Sequence, residues 1–169
     1  ETLLGEDLSG SGFHFAHSGT AYLAVTKHQF DGEAPKVMGS LEFEEPIKIT
    51  GVAHRQDDVQ VLTFDSAKLS ALPPLPYDPD AKVTAGLPVY MYADTGVVKG
   101  HVTFAAKASN RIRIRAAETF SAMGCSGTPV VSGETGKVIG VLTDADDPEQ
   151  TRRVGAERLA MPASGPSSG

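Results

Sequence analysis

Short runs of β-branched and aromatic residues limit what this chain can fold into more than any other feature of its sequence. The runs are rich in Val, Ile, Thr, Phe and Tyr, and Gly, Pro, Asp or Ser interrupts them every few residues. Most runs are too short for a helix, and they alternate apolar with polar residues as half-buried strands do. About nine strands follow from this pattern, beginning with a hairpin that turns at Ser18 and Gly19. The predicted fold class is all-β.

A proline-rich stretch, LSALPPLPYDPDAKVTAG, divides these strands into two groups. Proline fixes φ and lacks a backbone donor, which excludes a helix or a central strand here. The sequence therefore predicts two small antiparallel β-barrels, over residues 1–70 and 87–162, joined by a connector at 71–86. We expect a short C-terminal helix in DPEQTRRVGAERLA, capped by Asp147. Residues 163–169 are rich in Ser, Gly and Pro and are expected to be a disordered tail.

The composition excludes several classes of protein. The chain has 169 residues, a net charge of −6 and one cysteine, Cys125. One cysteine cannot form an internal disulfide, which is typical of a reducing compartment. The negative net charge provides no overall field for holding nucleic acid. No apolar run reaches the ~18 residues of a transmembrane helix, and no signal peptide is expected.

The segment GCSGTP contains the candidate nucleophile, Ser126. A tight glycine-containing loop lets backbone N–H groups point inward at the oxygen of a tetrahedral intermediate. The spacing fits an oxyanion hole made by the N–H groups of Gly124 and Ser126. The short pattern alone is also typical of a plain turn in a glycine-rich hairpin. Cys125 is the alternative nucleophile, but the register Gly-x-nucleophile-Gly favours Ser126.

Two residues in the first half of the chain can complete a catalytic triad. His28 follows the strand AYLAVT, where its imidazole can project into a cleft as a general base. Asp58 begins the apolar run DVQVLTF, where a carboxylate can orient an imidazole and stabilise its cation. Asp57 is the alternative acid, but strand alternation lets only one of the two face His28, and Asp58 adjoins the apolar run. The order His, Asp, Ser, each beside a strand, is more specific than any one of them.

In these segments the sequence resembles the chymotrypsin-like serine peptidases over nearly its whole length. GSGFHFAHSGTAYLAVTKH is similar to the family's first hairpin, which ends in the base, DDVQVL to the strand of the acid, and GCSGTPVV to the nucleophile loop. GKVIGVLTD is similar to the strand whose end supports the substrate's main chain. The resemblance implies two β-barrels with the active site in the cleft between them, His28, Asp58 and Ser126 as the triad, and no metal or organic cofactor.

Within that family, the compact size and the SxxGxSG arrangement look closest to the sobemovirus-type proteases of positive-strand RNA viruses, which cut their own polyprotein. Two positions depart from the viral pattern: the first motif residue is Ser121 instead of Thr, and Leu142 stands where several relatives have His. The resemblance implies a monomeric serine endopeptidase in the host cell cytoplasm, acting on its own polyprotein and requiring no nucleic acid. Two alternatives stay open, a cellular trypsin-like protease and an inactive protease-like module that binds peptide or RNA.

The same resemblance assigns the specificity pocket. Trypsin-like enzymes carry an acid six residues before the nucleophile, and Phe120 occupies that position here, so a trypsin-like preference for basic residues is not expected. We expect the substrate to contact Phe120, Ser121, Thr143 and Ala145. The alternative is a negatively charged pocket rim formed by acids at the end of the last strand, namely Asp144, Asp146 and Asp147.

Two further groups of polar residues have competing interpretations. The remaining histidines, His14, His17, His54 and His101, include no pair with zinc-site spacing, so we expect them to be surface or packing residues. In RIRIR, Arg111, Arg113 and Arg115 share one strand face, which predicts either charges that protect a sheet edge or an anion site for an acidic side chain or RNA.

Overall fold

The computed structural model describes residues 2–4, 9–30, 33–40, 43–93 and 95–162, and its first half forms an eight-stranded sheet. The strands are β1 (Thr2–Leu4), β2 (Ser9–Ser11), β3 (Phe13–His17), β4 (Thr20–Thr26), β5 (Val37–Ser40), β6 (Phe43–Arg55), β7 (Val59–Asp65) and β8 (Leu75–Pro76). Their order in the sheet is β2-β1-β5-β6-β7-β4-β3-β8. A helix of one turn, α1 (Ala67–Ser70), follows β7 and begins where the Ser66 side chain accepts from the Leu69 N–H.

The second half of the chain forms a closed six-stranded barrel. Its strands are β9 (Pro88–Ala93), β10 (Gly96–Ala105), β11 (Arg111–Phe120), β12 (Pro129–Ser132), β13 (Val138–Ala145) and β14 (Thr151–Arg158). They pair in the order β10-β11-β14-β13-β12-β9, with β9 closing on β10. Alternate residues of β11, among them Ile112 and Ile114, are buried in the barrel core, while the arginines between them face outward.

The two sheets share an apolar interface. Side chains of β3 and β4, including Phe13 and Phe15, pack in one cluster with Val131, Val138 and Val141 of the barrel. Tyr77 of the connector joins this cluster; its hydroxyl donates to the carbonyl of Leu159 at 2.6 Å and accepts from the N–H of Met161 at 3.1 Å. The interface fixes the sheets against each other, so side chains from both can form one site.

The all-β prediction is confirmed, as is the hairpin at Ser18 and Gly19, which joins β3 to β4. Both turn residues have positive φ, 51° and 81°, as the tight turns of hairpins require. Only the second of the two predicted barrels is closed. In the part of the chain that the structure describes, the outermost strands of the first sheet, β2 and β8, do not pair with each other.

The predicted C-terminal helix is wrong, because most of DPEQTRRVGAERLA forms β14. Asp147 lies instead in the preceding turn, where its carbonyl accepts from the N–H of Gln150 at 3.1 Å. Strand β14 pairs with β11 on one side and β13 on the other and thereby closes the barrel. Val154 and Ala156 are buried in its core. Pairing with two strands and burial of these side chains outweigh a weak local preference for helix.

No helix within the described ranges is long and apolar enough to span a membrane. The predicted tail at 163–169 lies outside the described residues.

Candidate active site

A cleft of about 730 Å³ lies where the two sheets meet, and it brings together the three candidate triad residues. It is lined by His28, Asp57 and Asp58 from the first half of the chain and by Arg111, Ala122, Met123, Gly124, Ser126, Leu142, Thr143, Asp144, Ala145, Pro148 and Glu157 from the second. The volume is in the range typical of small-molecule and substrate sites, roughly 300–1,000 Å³.

His28 and Asp58 are held together by two hydrogen bonds. His28 begins a 3₁₀ turn just after β4, and its Nδ1 lies 2.5 Å from Asp58 Oδ2. The other carboxylate oxygen, Oδ1, accepts from the backbone N–H of His28 at 3.1 Å. A carboxylate can only accept, so Nδ1 is the donor in this contact, and in the neutral imidazole the other ring nitrogen, Nε2, then keeps its lone pair. Asp57 lines the same cleft but makes neither contact with His28.

Glu157 of β14 supports Asp58 from behind and was missed by the sequence reasoning. The residue is only 4% exposed, and its carboxylate accepts from the Asp58 N–H at 2.6 Å and from the side-chain amide of Gln56 at 3.0 Å. Burial raises the pKa of the Glu157 carboxyl, and the two hydrogen bonds oppose this while the charges of Asp57 and Asp58 add to it. The sequence offers one signal, a lone acid within the apolar run VGAERL.

The loop that carries Ser126 is fixed by hydrogen bonds on both sides of the nucleophile. The N–H of Cys125 donates to the carbonyl of Ala122 at 3.1 Å, and the N–H of Gly127 donates to the carbonyl of Leu142 at 2.8 Å. The N–H of Gly124, just before Cys125, and the N–H of Ser126, between Cys125 and Gly127, have no hydrogen-bond acceptor among the described residues. Alternate N–H groups are therefore committed to the protein, and the other two remain as donors for a ligand.

Two carbonyl oxygens of the loop accept hydrogen bonds on the side of the loop that faces away from these free N–H donors. Cys125 O accepts from both the N–H of Thr128, at 3.0 Å, and the Thr128 hydroxyl, at 2.7 Å. Gly124 O accepts from the hydroxyl of Ser11 at 2.8 Å. A trans peptide directs its C=O and N–H to opposite sides, so fixing the Cys125 carbonyl also fixes the direction of the Ser126 N–H.

Ser11 and Gln29 tie this loop to the first sheet. The Gln29 amide donates to the carbonyls of Ser11, at 3.0 Å, and Ser126, at 2.8 Å, and the Ser11 N–H donates to Ser126 O at 3.2 Å. Gly127 has φ +96°, and a Cβ there would overlap the Ser11 carbonyl, so glycine is required for the close approach. Sequence reasoning missed both residues, since nothing in the sequence places Ser11 or Gln29 beside Ser126.

The hydroxyl of Ser126 donates to the carbonyl of Thr143 at 2.9 Å, not to His28. Rotation about the serine Cα–Cβ bond is therefore needed before Oγ can meet the imidazole. Thr143 and Ala145 both line the cleft, and their contact with the substrate stays a prediction. The N–H of Asp146 donates to Arg153 O of β14 at 3.2 Å. Successive residues of a strand direct their backbone N–H and C=O groups to opposite sides, so those of Ala145 point away from β14.

Phe120 and Ser121 do not line the cleft. Phe120 ends β11 and belongs to the barrel core, and it borders a separate cavity with Thr95 and Val97. Ala122 and Met123, which come next in the chain, line the cleft instead. Substrate contact by Phe120 and Ser121 therefore stays a prediction that the lining of this cleft does not support.

Of the three acids at the end of β13, only Asp144 lines the cleft. Its carboxylate pairs with Arg111 at 3.5 Å and accepts from the hydroxyl of Thr143 at 2.8 Å. Cys125, the alternative nucleophile, is buried, and its Sγ donates to the carbonyl of Met123 at 3.8 Å.

Solved structures with a similar architecture include proteases of bacterial and viral origin. The Rv3671c protease of M. tuberculosis in its active form is 22% identical, with a TM-score of 0.59 over 90% of this chain and 69% of that chain. The serine protease of a human pathogenic astrovirus is 13% identical, with a TM-score of 0.62 over 94% and 87%. The fold is that of the chymotrypsin-like serine proteases. The fold implied by the sequence resemblance is thus confirmed.

A third similar structure concerns how aromatic interactions drive the coupled folding and binding of the intrinsically disordered Sesbania mosaic virus VPg protein. It is 14% identical, with a TM-score of 0.59 over 92% of this chain and 83% of that chain. No protein-family model matches the sequence, and no curated protein matches it at a significant level. At these identities the likeness establishes the fold, and the chemistry has to be argued from the cleft itself.

Proposed function

We propose that the protein is a serine endopeptidase that hydrolyses peptide bonds through an acyl-enzyme. One observation carries the proposal. The cleft combines the 2.5 Å contact between His28 and Asp58 with Ser126 and the uncommitted N–H groups of Gly124 and of Ser126 itself. A base, the group that orients it, a nucleophile and oxyanion donors are the parts that acyl transfer through serine needs.

In the first half of the reaction, Ser126 Oγ turns from the Thr143 carbonyl, gives its proton to His28 Nε2 and bonds to the carbonyl carbon of the scissile peptide. Asp58 holds the imidazole in the tautomer with hydrogen on Nδ1 and stabilises the imidazolium that forms. The C–N bond then breaks, and Nε2 returns the proton to the leaving amine. An ester between Ser126 and the acyl part of the substrate remains.

In the second half, water attacks this ester and gives a proton to His28, which passes it to Ser126 Oγ as the acid product leaves. In both halves the negative charge develops on the former carbonyl oxygen. The N–H groups of Gly124 and Ser126 are the donors for that oxygen. Removal of one such donor in a serine protease typically slows turnover by about 10²–10³, so their fixed direction is central to the proposal.

We propose further that the natural substrate is a viral polyprotein that includes this chain. The support is the likeness to the astrovirus serine protease and to the structure from the sobemovirus Sesbania mosaic virus, together with the SxxGxSG arrangement. The M. tuberculosis protease with the same fold favours the second candidate, a cellular serine protease with the same chemistry. Cleavage sites distinguish them, because a polyprotein protease cuts at junctions within its own precursor.

The experiment is labelling with a fluorophosphonate probe followed by digestion of an unbiased peptide library, with cut sites read by mass spectrometry. Wild-type protein and Cys125→Ser are expected to be labelled and to cut the same sites, and Ser126→Ala to do neither. We expect Ser126→Ala to lower turnover by about six orders of magnitude, as removal of a triad serine does in another fold. Labelling that survives in Ser126→Ala, or a wild-type protein that neither reacts nor cuts, would overturn the proposal and favour an inactive binding module.

A further inference from the structure

Three arginines form an unneutralised patch on the outer face of the barrel. Arg113 and Arg115 of β11 and Arg153 of β14 line a cavity of about 250 Å³ together with Thr103. Within the ranges that the structure describes, none of the three forms an ion pair with a carboxylate. The whole chain has a net charge of −6, so the positive charge of this patch is opposite in sign to the net charge of the protein.

Protection of a sheet edge does not explain these arginines. Strand β11 is hydrogen-bonded to β10 on one side and to β14 on the other, so it has no free edge. Arg115 stands directly opposite Arg153 on one neighbouring strand and opposite His101 on the other. Like charges directly opposite each other destabilise a sheet. The patch therefore costs stability, which favours a role in binding an anion.

The patch is continuous with the active-site cleft. Arg111 lies on the same face of the same strand, lines the cleft and pairs with Asp144 at 3.5 Å. Asp144 stands between Thr143 and Ala145, at the strand end that the resemblance expects to support the substrate's main chain. From Arg111 to Arg115 is four strand steps, or about 13 Å, which an extended peptide of about four residues can span.

We propose that this patch, Arg113, Arg115 and Arg153, is an exosite for an acidic stretch of the polypeptide substrate. The stretch lies upstream of the scissile bond, beginning about four residues beyond those that fill the cleft. Glutamate or aspartate side chains there pair with guanidinium groups that have no carboxylate partner among the residues that the structure describes. The proposal rests on the proposed protease function, because it places the exosite on the path of the substrate that the cleft cuts.

The test measures binding and cleavage separately. Fluorescent peptides carry the best cleavage site from the library, or one fixed uncharged core if no peptide is cut, extended upstream or downstream by four Glu or by four Gln. Binding is measured by anisotropy with Ser126→Ala protein, so this arm does not depend on catalysis. At about 50 mM salt we expect the upstream Glu peptide to bind about tenfold more tightly than its Gln match, and the difference to disappear near about 0.5 M salt.

Arg113→Gln, Arg115→Gln and Arg153→Gln combined should remove the preference for Glu while leaving fluorophosphonate labelling of the otherwise wild-type protein unchanged. Lys137→Gln, a loss of one charge in an exposed hairpin turn, is the control and should keep the preference. Arg115→Gln alone should not lower the unfolding free energy at low salt, since it removes a repulsion.

Three outcomes would overturn the exosite. Equal binding of the upstream Glu and Gln peptides is the first, and an equal benefit from a downstream extension is the second. The third is tight binding of a single-stranded RNA oligonucleotide that the arginine variants abolish, while the same variants leave the binding of the peptides unchanged. Phe104, exposed beside Arg113, would then be the stacking platform, and Phe104→Ala would weaken the RNA complex. A wild-type protein that binds the Glu peptide through the arginines but is not labelled would contradict the protease function and leave the patch as a binding site for acidic peptide without cleavage.

Discussion

The hydroxyl of Thr128 donates a 2.7 Å hydrogen bond to the carbonyl oxygen of Cys125, which also accepts the Thr128 backbone N–H. That carbonyl belongs to the peptide unit whose N–H is on Ser126. Two hydrogen bonds on one side of this unit therefore direct one of the two oxyanion donors into the cleft. Thr128 is 8% exposed and does not line the cleft, so it is a positioning residue that acts through the Ser126 N–H.

Thr128→Val should lower kcat about three- to tenfold with little change in KM, the effect of one neutral hydrogen bond of ~0.5–1.5 kcal/mol. Val keeps the shape and the backbone bond but lacks the hydroxyl, and Thr128→Ser, which keeps it, should recover most of kcat. The decisive readout is affinity for a peptide aldehyde, which forms an oxyanion on Ser126. A variant that loses only thermal stability, with aldehyde affinity unchanged, would show that Thr128 has a structural role alone.

The contact between Asp58 and His28 predicts a matched pair of variants. Asp58→Asn replaces an acceptor by an amide that can favour the wrong imidazole tautomer, so kcat should fall by about 10⁴, as for the corresponding change in the chymotrypsin-type triad. Asp57→Asn removes the same charge from the same cleft without touching His28 and should change kcat far less. Steady-state kinetics on the best library peptide measures both. A larger loss in Asp57→Asn than in Asp58→Asn would reverse the assignment.

Gln29 offers a second pair, directed at the attachment of the nucleophile loop. Gln29→Met keeps the length but loses both donated bonds, and we expect it to lower the unfolding free energy by ~1–2 kcal/mol. Gln29→Glu adds a buried charge beside two carbonyl oxygens and should cost more at neutral pH. Its deficit should shrink on acidification, because a protonated carboxyl can donate to one of the two carbonyls. Urea unfolding at two pH values measures this, and equal losses at both would contradict the structural assignment.

Sequence patterns predicted most of the fold because they reflect local requirements. Alternation in β11 and positive φ at Ser18 and Gly19 depend on near neighbours, and both are visible in the sequence. The C-terminal strand was missed because its pairing with β11 and β13 is not local. The local sequence there shows only a weak helical pattern with a candidate cap at Asp147. It does not show that the barrel needs one more strand to close.

The same distinction applies to the candidate site. His28 and Asp58 were identified from their positions beside predicted strands, and Ser126 from the glycines around it. Both signals are visible in the sequence. Gln29 and Glu157 meet Ser126 and Asp58 across 97 and 99 residues of chain, and only the packing of the two sheets brings them together. The position of Phe120 likewise depends on packing that the sequence does not display. Its distance from Ser126 in sequence matches the resemblance, but its side chain is buried in the barrel core.

Glu157 gives a prediction about pH. Burial raises the pKa of its carboxyl in the folded protein above the ordinary value of 4.5. The folded state therefore binds this proton more tightly than the unfolded state does, and the contribution of Glu157 to the unfolding free energy falls as pH rises from about 4.5 through the raised pKa. Glu157→Gln removes this dependence.

Urea unfolding from pH 4 to 7 should show the unfolding free energy of wild type declining relative to that of Glu157→Gln as pH increases. Glu134→Gln, an exposed change in a hairpin turn, is the control and should parallel wild type. Parallel curves for wild type and Glu157→Gln would mean that the carboxylate is ionised in the folded protein at no cost, with the Asp58 and Gln56 bonds offsetting its burial.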